Sequence, residues 1–160
     1  MAVATARTPG FTLCEGRVAC VCLATWLPAF ERLAVRRGFV RHSIDIVQLT
    51  GTASASAGVH EQGGAWDIAQ TSVGLAMLAR EMGSAAWVRT AAYGWHGGWH
   101  THGVLVGCPH NGPARYQVLA LRARRNGLGW MGLAGPDPHP APSAWRTWTE
   151  GLAWAQQQLA

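Results

Sequence analysis

A chain of 160 residues with 49% hydrophobic and 13% charged side chains is sized for one domain with a packed core, which excludes a disordered protein and an array of domains. Its formal net charge of +5 comes from 13 basic residues, all of them arginine, set against 8 acidic ones; such a surface suits a polyanionic partner without specifying which. The basic clusters Arg32, Arg36, Arg37, Arg41 and Arg122, Arg124, Arg125 read as exposed helix faces, because no DNA- or RNA-reading motif accompanies them, and no specific nucleic-acid partner is expected.

Residues 1–11 lack the basic start and apolar run of a secretory signal, and the apolar stretch 18–30 is too short to span a membrane. The chain is therefore expected to be cytoplasmic when synthesised, with no membrane partner. Leu23, Trp26, Leu27, Phe30, Leu33 and Ala34 recur at helical spacing and predict a helix over 21–35, ended by Gly38. A short strand follows over 44–49, then a Gly, Ser, Thr and Ala tract over 50–58 suited to a loop bordering a site. A second helix is predicted from Ile68 to Met82, with Gly83 just beyond its end.

Strands are predicted over 85–92 and 103–106, joined by a connection rich in Gly, Trp and His. A third helix is predicted over 114–125, behind Pro113. The Gly/Pro-rich segment 127–142 is expected to wrap the surface before a final helix over 143–159. Helices mixed with a few short strands, without regular β-α-β alternation, point to an α+β fold in a single domain spanning 1–160.

The cysteines offer no zinc-finger spacing. Cys20 and Cys22 are two apart, Cys14 is far from any histidine, and Cys108 stands alone. A bridge from Cys14 to Cys20 or Cys22 and buried free thiols both remain open. His42, His110 and His139 have no partners at metal spacing and read as surface residues.

Two other histidine segments do have the grammar of a metal site. In His60-Glu-Gln-Gly-Gly-Ala-Trp-Asp67, the paired glycines Gly63 and Gly64 let the backbone turn and bring both end residues to one centre. In His100-Thr-His102, at the start of a strand, side chains two apart project from one face. Catalytic zinc takes three protein ligands and leaves a fourth position open, so two histidines and a carboxylate are a complete set, with one histidine left for proton transfer.

The pattern His60-x-x-Gly63-x-Ala65-x-Asp67 resembles the first zinc motif of D-alanyl-D-alanine metallopeptidases. His100-x-His102 followed by Gly107-Cys108-Pro109 resembles the second motif of penicillin-insensitive murein endopeptidases. Together they resemble the LAS group, which also holds lysostaphin-type enzymes and the hedgehog signalling domain. The resemblance covers residues 48–109. It implies a small antiparallel sheet packed against helices and carrying Zn2+ on His60, Asp67 and His102, with His100 beside the reacting water as a proton-transfer group. The implied activity is cleavage of a peptide bond in bacterial peptidoglycan, in a stem peptide or cross-bridge. A short domain without a secretory signal is expected to be a phage lysin-type enzyme that reaches the wall after release or delivery. The alternative is a zinc-stabilised wall-binding or structural module without catalysis, as in the hedgehog branch.

One departure concerns the proton-transfer group. The carboxypeptidase branch places a Glu three residues before a Trp-His ligand, where this chain has Tyr93 before Trp95-His96 and Gly97 before Trp99-His100. His96 and His100 are therefore the expected catalytic pair, with Glu61 as an alternative carboxylate. Arg89 is expected to meet a substrate carboxylate, and Ser54, Ser56 and Trp99 to contact substrate. No Gly-x-Ser-x-Gly elbow supports a serine mechanism.

Overall fold

The computed structural model describes residues 3–52 and 58–160. Its first elements form a hairpin: β1 (Phe11–Cys14) pairs antiparallel with β2 (Arg17–Cys20) around a turn at Glu15 and Gly16. Strand β2 runs directly into α1 (Val21–Arg36), whose buried side chains Leu23, Trp26, Leu27, Phe30, Leu33 and Ala34 follow the predicted helical stripe. After α1 come β3 (Ile46–Gln48), β4 (Ala65–Ile68), α2 (Val73–Glu81), β5 (Ser84–Arg89) and β6 (His100–Leu105). Helices α3 (Arg115–Arg122) and α4 (Trp148–Leu159) complete the chain. Strands β3 to β6 form a second antiparallel sheet in the order β3-β4-β6-β5, so the chain is α+β.

Alternation along the second sheet divides its side chains between two faces. Trp66, Ile68, Ala86, Val88 and Leu105 face the main core, where α1 and α2 supply Trp26, Phe30, Leu75 and Ala79. Within it, Trp26 stacks on Phe30 at 4.8 Å and donates its indole N–H to Met82 O. Gly103 belongs to this face, and a methyl group there would collide with the Trp66 ring. The opposite face carries Ala65, Asp67, Trp87, Arg89, His100, His102 and Val104. Its apolar members pack on Ala114 and on Val118 and Leu121 of α3.

Residues 65–68, part of which was expected to begin the second helix, form a strand instead. All four are buried, each pairs with a residue of β6, and the helix begins only after Ser72, whose hydroxyl accepts from Leu75 N–H. The β1–β2 hairpin was not anticipated. The final helix starts at Trp148 and not at residue 143, because Thr147 and Glu150 form a capping box and Ser143 is held by Glu81.

The segment 127–142 does more than wrap the surface. Asp137 makes a two-pronged ion pair with Arg80 at 2.9 Å, both side chains wholly buried, and Arg80 Nε donates to Ala86 O. His139, expected at the surface, is 2% exposed and accepts the Val88 N–H at Nε2. The segment is thus fastened to α2 and to the free edge of β5.

His139 sets a pH dependence. Burial, reinforced by the Arg80 charge, lowers its pKa below the ordinary 6.5, so on acidification the unfolded chain takes up the proton first. Folding stability should therefore fall as pH drops through about 6.5. Urea unfolding on either side of that pH should show the loss, with a shallower pH slope in His139→Gln; an unchanged slope would acquit His139.

Candidate metal centre

Three segments converge on the open end of the sheet. Antiparallel register places Asp67 of β4 opposite His102 of β6, and their side chains share a face. His60 arrives from the loop before β4 and is 1% exposed. The resulting contacts are His102 Nδ1 to Asp67 Oδ1 at 2.7 Å and His60 Nε2 to Asp67 Oδ2 at 3.3 Å. One ligand atom from each of the three residues lies within 4.8 Å of the other two, and the set could hold a metal ion.

The outward nitrogens of both imidazoles are already engaged. His60 Nδ1–H donates to Leu49 O at 2.7 Å, which turns Nε2 inward toward Asp67. His102 Nε2–H donates to Gln117 Oε1 at 2.8 Å, while the Gln117 amide donates to Gly127 O and so fixes which end of that side chain faces the histidine. In the neutral ring Nδ1 of His102 therefore carries a lone pair, aimed at a carboxylate oxygen. Burial pushes the His102 pKa down, which disfavours the second proton that would reconcile this contact. Burial alone would raise the Asp67 carboxyl, but the charge and hydrogen bonds of His102 and His60 hold it well below the usual carboxylate range. Two imidazole nitrogens and a carboxylate facing one point are a donor set that could hold a cation.

His100 stands next to this group. Its Nδ1–H donates to Gly98 O at 2.7 Å, its Nε2 lies 3.8 Å from Asp67 Oδ1, and its ring meets Trp95 edge-on. Arg89 pairs with His100 in register and is 3% exposed. Its guanidinium lies over the Trp87 ring, Nη1 donates to Asn126 O, and Nη2 has no hydrogen-bond partner among the described residues. Burial lowers the Arg89 pKa to about 10, so it stays cationic. His60, Asp67, His100, His102 and Arg89 all line one open pocket, walled on the far side by Tyr116 and Leu128.

The remaining candidates lie apart. His96 is exposed in the connection before β6 and does not line the pocket, and Trp99 is 65% exposed and also outside it. Glu61 is outside the lining, and Ser54 and Ser56 fall outside the described residues. Tyr116 and Gln117 were missed, since a helical glutamine carries no spacing signal that ties it to a histidine on another element. The cysteines are free thiols, one of the two alternatives left open, but Cys108 does not stand alone and His110 is not a plain surface residue. None is in a disulfide, and Cys20, Cys22 and Cys108 gather with His110, which is half-buried against them, while Cys14 stays outside the cluster.

No protein-family model, curated protein or solved structure matches the chain.

Gln117 fixes the His102 ring, so Gln117→Leu should weaken metal binding at this centre by roughly 10- to 100-fold with little change in fold. Competition against a chromophoric chelator measures this, and an unchanged affinity would remove Gln117 from the site.

Proposed function

We propose that the chain is a zinc-dependent peptidase that hydrolyses a peptide bond in bacterial peptidoglycan, within a stem peptide or cross-bridge, on a scaffold of the hedgehog and D-Ala-D-Ala peptidase type. The observation that carries the reading is the convergence of His60 Nε2, the Asp67 carboxylate and His102 Nδ1, each imidazole with its other nitrogen held by the protein. The two motifs that supply these residues are those that resemble cell-wall metallopeptidases. Two imidazoles and one carboxylate suit zinc, which when bound supplies Lewis-acid activation of water and of a carbonyl.

The chain's own groups account for the remaining steps. His100, tethered through Nδ1, presents Nε2 beside Asp67, placed to pass a proton between the attacking water and the departing amine. Arg89, a cation lining the pocket, provides a positive charge for a carboxylate or carbonyl oxygen of the peptide. Trp95, Val47 and Leu128 provide apolar walls for the peptide's aliphatic atoms.

A second reading has one observation in its favour. Asp67 is the only carboxylate lining the pocket among the described residues, and it belongs to the ligand set, so no Glu occupies the position used by the carboxypeptidase branch. On that reading the chain is a zinc-stabilised wall-binding or structural module.

Release of new amino groups from purified sacculi separates the two. With zinc present the protein should release them. His100→Ala should lower the rate by about 10²- to 10⁴-fold with zinc retained, and His102→Ala should lose both zinc and cleavage. Cleavage that persists in His102→Ala would sink the site, and no cleavage by the unaltered protein would favour the module.

A further inference from the structure

We propose that Cys20, Cys22, Cys108 and His110 bind a second metal ion, a structural zinc, and that this ion braces the loop presenting His60 and Asp67. The site rests on its own geometry and does not depend on the peptidase reading.

Cys20 Sγ lies 3.7 Å from Cys108 Sγ, Cys22 Sγ 3.6 Å from His110 Nδ1, and Cys108 Sγ 3.7 Å from His110 Nδ1. All four ligand atoms fall within 4.8 Å of one another. Tetrahedral zinc with bonds of about 2.3 Å to sulfur and about 2.0–2.1 Å to nitrogen requires edges of about 3.8 Å between sulfurs and about 3.6 Å between sulfur and nitrogen. The three distances are those edges. A disulfide would need two sulfurs at about 2.05 Å and would leave the other two groups without a role.

Four protein ligands leave no position for substrate, and the three cysteines are buried, which marks a structural site and not a second catalytic one. Thiolate-rich tetrahedral sets select zinc among the common divalent ions. The ligands come as two short pieces, Cys20-x-Cys22 where β2 becomes α1 and Cys108-x-His110 in the turn after β6, with Cys20 and Cys108 88 positions apart. A bound ion would tie the hairpin and α1 to the end of the strand that carries His100 and His102.

The brace on the first centre is visible in the backbone. Gly64 N–H donates to Cys20 Sγ at 3.2 Å, and Gly63 N–H donates to His110 O at 2.8 Å. A methyl group on Gly63 would lie 2.6 Å from Cys20 Cβ and 2.7 Å from His110 Cβ, so the loop rests directly on the cluster. Gly64 has φ of +80°. The two glycines between His60 and Asp67 are therefore needed for close approach to the Cys/His cluster as well as for the turn.

Protein purified under reducing conditions should contain two zinc ions per chain. His102→Ala should retain one, and after cobalt exchange that variant should show the sulfur-to-cobalt charge-transfer band of a tetrahedral thiolate site, a readout that alters no cysteine. Adding Cys108→Ser should remove the band and the remaining zinc, whereas adding Cys14→Ser should change neither. With the first centre intact, Cys108→Ser alone should weaken zinc binding there at least about tenfold. No thiolate band in His102→Ala, iron in place of zinc, or a Cys20–Cys108 disulfide in the reduced preparation would overturn the site. Unchanged affinity at the first centre in Cys108→Ser would overturn the brace.

Discussion

The Asp67 carboxylate faces two imidazoles whose outward nitrogens already donate to Leu49 O and Gln117 Oε1. Their inner nitrogens and the carboxylate point into one space, which a shared positive charge would stabilise. A proton on His102 could serve, but burial works against it. A metal ion serves without that penalty, and the outward hydrogen bonds are those that fix a ligating histidine's tautomer and orientation. Much of the surrounding structure exists to hold this geometry: Leu49 follows directly on β3, Gln117 sits on α3, and Gly127, which accepts from Gln117, begins the Gly/Pro-rich segment.

The antiparallel sheet supplies the platform. Its two-residue periodicity puts Trp66, Ile68, Ala86 and Val88 into the main core while it turns Asp67, His102, His100 and Arg89 toward the pocket. A one-residue slip of β6 against β4 would exchange His102 with its buried neighbours Thr101 and Gly103, so core packing and site geometry enforce the same register. The collar around this platform is polar. Asp137 joins Arg80, Arg89 reaches Asn126 O, and both interactions bring the 124–140 region against β5 at the pocket's edge.

The grouping of His60, Asp67 and His102, a set that could hold a metal ion, was legible in sequence because both motifs are local: a turn between His60 and Asp67, and strand alternation between His100 and His102. The strand bearing Asp67 was not. Ala65, Trp66, Asp67 and Ile68 are buried on both faces, which erases the polar and apolar alternation that marks a strand. Gln117 and Leu49 O were hidden for another reason, since one is a lone helical side chain and the other a main-chain carbonyl. The cysteine cluster escaped because each half holds only two ligands, two positions apart, and only the fold brings the halves together. His139 looked like a surface residue in a Gly/Pro-rich stretch, and its burial follows from the long-range anchor at Asp137.

The most direct test of the central claim is anomalous diffraction at the zinc edge from crystals grown with zinc. The account predicts a peak about 2.0–2.2 Å from His60 Nε2, an Asp67 carboxylate oxygen and His102 Nδ1, with the Leu49 and Gln117 hydrogen bonds intact. An ordered site with those three side chains in place and no peak between them, although zinc is in the solution, would contradict it.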